Sequence, residues 1–210
     1  DMIISEPIKY QLQSLGLNNG LVILDSNLFT HYSRTTPDGK IILGKGGNTF
    51  SFRNKVIDSF DGPSTIEKLL KKSLLSFYPS LKDAKITTSW NGPSERTKTG
   101  FPFFGYHPKN KNISYAFGYS GNGVLTCHVG GEILSSMTLD ENNKWTDSNF
   151  CKGPLKNFPP EPFRWLGAMI IRNAVRRKEN AQEKEINPKW IDKQLAKIAV
   201  SVGRVDFEKK

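Results

Sequence analysis

The chain of 210 residues is long enough for one sizeable domain or two small ones, and its 37% hydrophobic content suits a packed core. Two cysteines, Cys127 and Cys151, exclude a disulfide-stapled scaffold. No apolar run of about 18 residues is present, so no membrane span is expected, and without a visible signal peptide we expect a cytoplasmic protein. Because Asp1 is followed almost at once by strand-like residues, we interpret the chain as a fragment, cut naturally, by design or by proteolysis.

The first part of the sequence predicts an antiparallel sheet. Two short runs, 21–24 and 29–34, have the composition of strands. The turn signal Thr36-Pro37-Asp38-Gly39 follows, in which Pro fixes φ and Asp-Gly tolerates left-handed geometry. Residues 40–44 return as the partner strand, so the segment from 29 to 44 is predicted to be a hairpin.

A helix is predicted after this hairpin. Ser64 stands three residues before Glu67, which is the pattern of a capping box. Apolar residues from Ile66 to Phe77 recur at helical spacing, and Pro79 ends the pattern. Three extended segments follow, at 85–90, 101–105 and 113–117.

The rest of the chain is predicted to be mainly helical. A helix is expected over 124–137, a loop over 140–160, a further helix from Pro162 and a last helix from Asn187-Pro188. A sheet, a single helix, more extended segments and a helical C-terminus together indicate the α+β class.

The turn between the segments 113–117 and 124–137 is the most informative motif. Its sequence is Gly118-Tyr119-Ser120-Gly121-Asn122-Gly123, which reverses the glycine order of the dinucleotide fingerprint G-x-G-x-x-G. Glycines let a backbone approach a ligand, and the start of a helix directs unpaired N–H groups and a positive dipole end at one point. A plain strand-to-helix connection is the alternative, but three glycines in six residues favour a ligand that is anionic or becomes so.

Other patterns that carry chemistry are missing from the sequence. His31, His107 and His128 are scattered, and neither they nor the cysteines have the spacing of metal ligands, so no metal site is predicted. No Walker A, zincin or G-x-S-x-G motif occurs, which gives hydrolysis and phosphoryl transfer little support. We assign no catalytic residue.

Half of the net charge of +10 lies near the C-terminus, where residues 172–210 contain 11 Lys/Arg and 6 Asp/Glu. This leaves open a second function, a non-enzymatic basic module that binds nucleic acid or a protein partner through residues 172–204. Nucleic acid is the less favoured partner because exposed aromatic residues and a known binding module are not evident. A solvated helix face is the simpler interpretation.

Several motifs follow one another in a fixed order. The hairpin contains His31-Tyr32-Ser33-Arg34 and ends at Gly44-Lys45-Gly46-Gly47; Trp90-Asn91-Gly92-Pro93 then leads to Thr97. Phe101-Pro102-Phe103-Phe104-Gly105 and the strand 113–117 precede the glycine turn, and Phe158-Pro159-Pro160-Glu161-Pro162 follows. This series resembles the C-terminal half of the D-amino-acid-oxidase-like (DAO) family of FAD-dependent oxidoreductases. The hairpin and the Trp90 segment resemble its gamma-glutamylputrescine-oxidase-like branch.

The resemblance implies two lobes, an N-terminal Rossmann-type FAD half that is absent here and a substrate lobe with an antiparallel or mixed sheet and flanking helices. Residues 1–105 would form the sheet and helix of the substrate lobe, 106–139 the strand, turn and helix that return to the FAD lobe, and 140–210 a loop and helical extension. The cofactor would be FAD, held together with the missing half. The residues implied to face the flavin are Gly118, Tyr119, Ser120, Gly121, Asn122, Gly123 and Val124, and those implied to line the substrate pocket are Tyr32, Arg34 and Trp90.

The resemblance also implies a reaction, the oxidation of a small-molecule amine or amino acid by hydride transfer to flavin N5. Backbone N–H groups of the turn would stabilise the negative charge that develops on the flavin. Amino-acid oxidases of this type often carry an Arg eight residues before the Pro of Pro-x-x-Gly, where it pairs with the substrate carboxylate. Ser94 occupies that position here, which favours an amine and leaves an amino acid open. Without the N-terminal half, we expect weak FAD binding and no activity.

Overall fold

The structure, a computed structural model, describes residues 1–154 and 156–201. Its residues group into two compact units, one formed by 1–93 with 179–186 and the other by 94–178 with the described residues 187–201. The α+β class is confirmed, because each unit combines antiparallel strands with helices. The division of the chain at residues 105 and 139 remains a prediction.

The first unit contains a five-stranded antiparallel sheet in the order β2-β3-β4-β1-β5. The predicted hairpin forms its centre, and the turn signal at 36–39 connects β3 to β4 as expected. The strands are β1 (Met2–Ser5), β2 (Val22–Leu24), β3 (His31–Thr35), β4 (Ile41–Lys45) and β5 (Ile86–Trp90).

Two helices, α1 (Lys9–Ser14) and α2 (Glu67–Phe77), supply side chains to the core with one face of this sheet. Alternate strand residues such as Ile41 and Leu43 are buried there, as period-2 patterning requires. Leu70 and Leu74, four residues apart on α2, are 0% and 2% exposed. Full burial of such side chains stabilises the fold by about 1.5–3 kcal/mol each.

The capping-box prediction for α2 is wrong. The helix begins after Ile66 and has no side-chain cap. The Ser64 hydroxyl accepts a hydrogen bond from the Ile66 N–H at 3.2 Å and donates one to the Asp1 carboxylate at 2.8 Å. The Glu67 carboxylate accepts from the Ser89 hydroxyl instead of returning to the helix start. Partners that are distant in sequence have replaced the local pair.

The second unit begins with the hairpin β6 (Phe103–His107) and β7 (Asn110–Phe117), followed by α3 (Gly123–Thr138). Phe104, Ile133 and Met137 form its small buried core. The predicted loop from 140 to 160 contains a 3-10 turn at Asn149–Lys152, and two helices follow, α4 (Phe163–Glu183) and α5 (Trp190–Ser201). Among the described residues, no helix combines the length and apolar character that crossing a membrane needs.

Candidate functional site

The glycine turn joins β7 to α3 through a backbone that only glycine adopts easily. Gly118 and Gly121 have φ of +81° and +89°, and Ser120 between them has φ of +55°. A Cβ atom on Gly118 would collide with Thr97 Cγ2 and lie 3.2 Å from Phe103 Cδ1. Position 118 therefore requires glycine both for its backbone angle and for space.

A segment just before β6 holds the turn in place. Ser120 is 2% exposed, and its hydroxyl accepts a hydrogen bond from the Thr97 N–H at 3.1 Å and donates one to the Gly118 carbonyl at 3.1 Å. The Tyr119 N–H donates to Glu95 Oε1, also at 3.1 Å. Sequence reasoning missed Glu95, because nothing in a single sequence pairs it with a backbone group 24 residues away. These contacts preorganise the turn.

The side chain of Tyr119 packs against β6 and α3. Its ring meets Phe104 edge-on with centroids 6.5 Å apart, and a Cβ on Gly130 would collide with its hydroxyl group. Burial raises the pKa of Tyr119 above its ordinary value of 10.0, and the nearby Cys127 and Glu95 add smaller effects in the same direction. The phenol therefore acts as a neutral packing group at physiological pH.

The N-terminus of α3 is exposed and uncapped. Asn122 makes no side-chain hydrogen bond to the first turn, and that turn contains no acidic residue. The N–H groups of residues 123–125 have no acceptor within the helix, since the first turn of any α-helix lacks one. Val124 and Leu125 are 98% and 83% exposed. The combination of free N–H groups, positive dipole end and apolar side chains fits a flat ligand that carries partial negative charge.

Two of the three predicted pocket residues lie in one cross-strand row of the sheet in the first unit. Tyr32 is paired with Gly44, Gly44 with Met2, and Met2 with Trp90. This row lies on the sheet face opposite the helix-covered core. The residues that flank Tyr32 along β3 are buried on the core side, whereas Trp90 is 37% exposed. Tyr32 and Trp90 stand three strand spacings apart, roughly 14 Å.

Gly44 has no side chain, so space remains above the backbone at the centre of this row. A Cβ at this position would collide with the ring of Tyr32 and with Sδ of Met2, so both side chains extend over the glycine. The row therefore presents an aromatic ring, a thioether and an indole side by side. The sequence predicts Tyr32 and Trp90 as pocket residues and marks Gly44 within the glycine-rich end of the hairpin, but it gives no indication of Met2, whose place in the row depends on the strand order.

Arg34, the third predicted pocket residue, lies two positions along β3 from Tyr32 and so on the same face. It is exposed and lines a cavity of about 300 Å³ together with residues of α1 and of the hairpin turn. The glycine turn belongs to the second unit and these three residues belong to the first. That the glycine turn and these three residues line one pocket remains a prediction.

The basic C-terminal run is partly used within the fold. Arg177 binds Asp192 through two nitrogens, with Nη2 2.6 Å from Oδ1, and this joins α4 to α5. The hydrogen bond to Asp192 raises the pKa of Arg177, which is charged in any case. Residues 202–204 of the predicted basic module lie outside the described residues.

The glycine turn and the sheet that precedes it fall within one family match. Residues 1–137, from the first strand almost to the end of α3, match the family described as FAD dependent oxidoreductase (DAO). The match covers more than half of the chain, so the chain belongs to this family, as the resemblance in its sequence indicated. FAD is accordingly the cofactor of the family to which the chain belongs.

Among individual proteins, the chain is similar to the probable oxidoreductase OrdL of Haemophilus influenzae, 26% identical over 143 residues that cover 68% of this chain and 30% of OrdL. It is also 29% identical over 172 residues to the gamma-glutamylputrescine oxidoreductase of Escherichia coli strain K12, covering 80% of this chain and 37% of that protein. The chain therefore spans about a third of the length of these relatives.

A solved structure shows the same fold. The crystal structure of L-proline dehydrogenase from P. horikoshii superposes with a TM-score of 0.54 at 21% identity, over 69% of this chain and 36% of that one. At this level of identity the likeness concerns the fold alone.

Proposed function

We propose that this chain supplies the substrate lobe and the flavin-facing turn of an FAD-dependent oxidoreductase that oxidises a small amine or amino acid. The observation that carries the proposal is the exposed, uncapped N-terminus of α3, held by Ser120 and Glu95 within the family's motif series. When bound, FAD would supply the chemistry as the acceptor of a hydride at N5.

The N–H groups of Gly123, Val124 and Leu125 are the donors that this chain offers to the part of the cofactor that gains negative charge. Because the turn is already fixed by hydrogen bonds, these donors need no reorganisation during the reaction. The exposed side chains of Val124 and Leu125 would cover the apolar part of the ring and exclude water from it.

The row formed by Tyr32, Gly44, Met2 and Trp90 is the substrate-facing surface in this proposal. Its flat aromatic groups suit an uncharged or cationic carbon chain, since aromatic faces attract ammonium groups. Ser94 supports an amine, because its short neutral hydroxyl cannot pair with a carboxylate as an Arg would. The name of the Escherichia coli relative, which refers to a putrescine derivative, supports the same choice.

The proposal includes weak FAD binding and no turnover for the 210-residue chain alone. A fluorescence titration with FAD measures the first property, and an oxidation assay with amines measures the second. A yellow preparation of this chain that holds FAD tightly and turns over substrate would contradict this part of the proposal.

The decisive experiment uses the full-length protein. Its absorbance spectrum should show bound flavin, and a screen of amines and amino acids with oxygen or a dye as acceptor should identify a substrate. Trp90→Phe should then raise KM for that substrate, whereas Trp190→Phe, an equal change at an exposed indole of α5, should leave KM unchanged. A full-length protein without flavin, or one that oxidises no member of the screen, would exclude the proposed function.

A further inference from the structure

The last described helix of the chain, α5, presents its large apolar side chains to solvent. Trp190 is 70% exposed, and Ile191 and Ile198, which are seven residues apart and so lie on one face, are each 50% exposed. The buried positions of the helix are instead those of Asp192 and Ala196, which are 3% and 5% exposed. In an ordinary surface helix the apolar face packs on the core, so the orientation of α5 is the reverse of the usual one.

The inner side of α5 is held by an ion pair. Two nitrogens of Arg177, on α4, bind the Asp192 carboxylate, with Nη2 2.6 Å from Oδ1. Asp192 is the only acid within Trp190–Ser201, so α5 itself brings no carboxylate to its outer face. The range 163–178 of α4 is also free of Asp and Glu and contains five Lys/Arg. The two helices therefore form a basic part of the second unit.

A row of lysines runs beside the exposed apolar residues of α5. Lys189, Lys193 and Lys197 are spaced four residues apart, so they lie on successive turns of one side of the helix. The Lys193 N–H donates to the Lys189 carbonyl at 3.1 Å, so the row begins where the helix begins. Lys189 and Lys197 are exposed, and the Lys193 ammonium donates to Asn187 Oδ1 at 2.6 Å. Like charges at this spacing destabilise a helix, so the row does not serve the stability of α5.

We propose that α5 binds the surface of an anionic lipid bilayer. Trp190, Ile191 and Ile198 would enter the boundary between headgroups and acyl chains, and the lysine row would contact the acidic headgroups. Aromatic and aliphatic residues on one face with lysines beside them are typical of helices that lie in this interface. Such a helix enters the bilayer by only about 5–10 Å, so it can bind while Arg177 holds its inner side. Its 12 residues span about 18 Å along the surface.

The aliphatic residues of this face favour lipid over nucleic acid as the partner. The side chains of Ile191 and Ile198 neither stack on bases nor bind phosphate, whereas acyl chains accommodate them. The family match ends at residue 137, before α4 and α5, so the face is separate from the glycine turn and from the row of Tyr32 and Trp90. The proposal therefore does not depend on the proposed oxidation.

The test measures the binding of the 210-residue chain to phosphatidylcholine vesicles with and without phosphatidylglycerol, by co-sedimentation in about 0.1 M salt. The acidic vesicles should bind the chain and shift its tryptophan emission to shorter wavelength. Trp190→Phe should remove most of this shift while binding persists, which assigns the shift to α5. Lys189→Gln and Lys197→Gln should each weaken binding about fivefold, because each lysine near an acidic surface attracts it. Ile191→Ala should weaken binding about fivefold or more, because it removes apolar carbon atoms from the face.

Two variants control for general effects of charge and hydrophobicity. Lys82→Gln removes the charge of an exposed lysine in the first unit, and Ile57→Ala shortens an isoleucine there that is 54% exposed. Both variants should bind the acidic vesicles as the original chain does. A circular dichroism spectrum equal to that of the original chain shows that a variant is folded.

Binding to the acidic vesicles with this variant pattern supports the proposal. Absence of such binding would overturn it, and so would equal binding to both kinds of vesicle. Equal losses in Lys82→Gln and Lys197→Gln would also overturn it, because binding would then reflect only the net charge of +10. A chain that ignores vesicles but binds a DNA oligonucleotide would overturn it in favour of nucleic acid. Flavin content and amine oxidation of the full-length protein have no bearing on these outcomes.

Discussion

The substitution Gly118→Ala tests how closely the turn before α3 is packed. The backbone at Gly118 has φ of +81°, where an L-residue with a Cβ costs about 1–2 kcal/mol. The new methyl group would also collide with Thr97 Cγ2 and lie 3.2 Å from Phe103 Cδ1. Overpacking of this kind costs typically about 1–3 kcal/mol. The sum lowers the free energy of unfolding by about 2–5 kcal/mol.

A second substitution separates the two costs. Thr97→Ser removes the methyl group that the new Cβ would strike and keeps the hydroxyl that donates to the Phe101 carbonyl at 2.9 Å. The double variant Thr97→Ser, Gly118→Ala should therefore be more stable than the sum of the single effects by about 1–2 kcal/mol. The backbone cost should remain.

The assay is urea-induced unfolding at 25 °C, with amide NMR signals of residues 94–178 used to assign the transition to the second unit. Gly131→Ala is the matched control, because Gly131 lies within α3 and its added methyl group meets no atom within 4 Å. It should stabilise the helix by about 0.5–1 kcal/mol. A Gly118→Ala variant as stable as the original chain, or additive effects in the double variant, would refute the argument that Thr97 and the left-handed backbone make position 118 a glycine.

Three further outcomes follow from the first unit. Leu70→Ala, at a side chain with 0% exposure, should lower the free energy of unfolding by about 2–5 kcal/mol in a urea titration, and a loss below about 1 kcal/mol would contradict the described core. Gly44→Ala should cost about 1–3 kcal/mol in the same assay, because the methyl group displaces the ring of Tyr32; an unshifted Tyr32 ring in NMR spectra would exclude this cause. The pKa of the Asp38 carboxyl is about 2 rather than 3.8, chiefly because Lys40 donates a hydrogen bond to it, and Lys40→Gln should raise it in a ¹³C NMR titration. Since this pKa is lower in the folded chain than in the unfolded chain, the Asp38–Lys40 pair contributes stability above pH 3.8, and this contribution is lost as the pH falls towards 2. An unchanged pKa of Asp38 in the Lys40→Gln variant would contradict the pairing.

The central hairpin could be predicted from the sequence because its determinants are local. Strand-like runs on both sides of Thr36-Pro37-Asp38-Gly39 specify two strands and a tight turn without reference to the rest of the chain. The prediction of a capping box at Ser64 was wrong because the partners of its side chains are not local. Both of its side chains found partners far away in sequence, Asp1 for Ser64 and Ser89 for Glu67, and a local rule cannot anticipate that competition.

The same distinction applies to the candidate site. The left-handed backbone at positions 118 and 121 could be predicted from the sequence because glycine is the residue that adopts this conformation most easily. Two hydrogen bonds fix the turn, one accepted by Glu95 from the Tyr119 N–H and one donated by the Thr97 N–H to Ser120. They join residues 24 and 23 positions apart, and no periodicity in the sequence marks them. The cavity that Arg34 shares with Lys9 depends on how α1 packs against the hairpin, and it was not predicted.

By itself, the sequence determined the α+β class, the hairpin, the location of the glycine turn and the family to which the chain belongs. These features depend on the order of residues along the chain, where spacing and backbone preference act over a few positions. Only the tertiary structure decided that Tyr32 and Trp90 share a row with Gly44 and Met2, because that row requires β4 and β1 to lie between β3 and β5. Strand order is set by the cooperative burial of one sheet face against α1 and α2, a property of the whole unit that no short segment specifies.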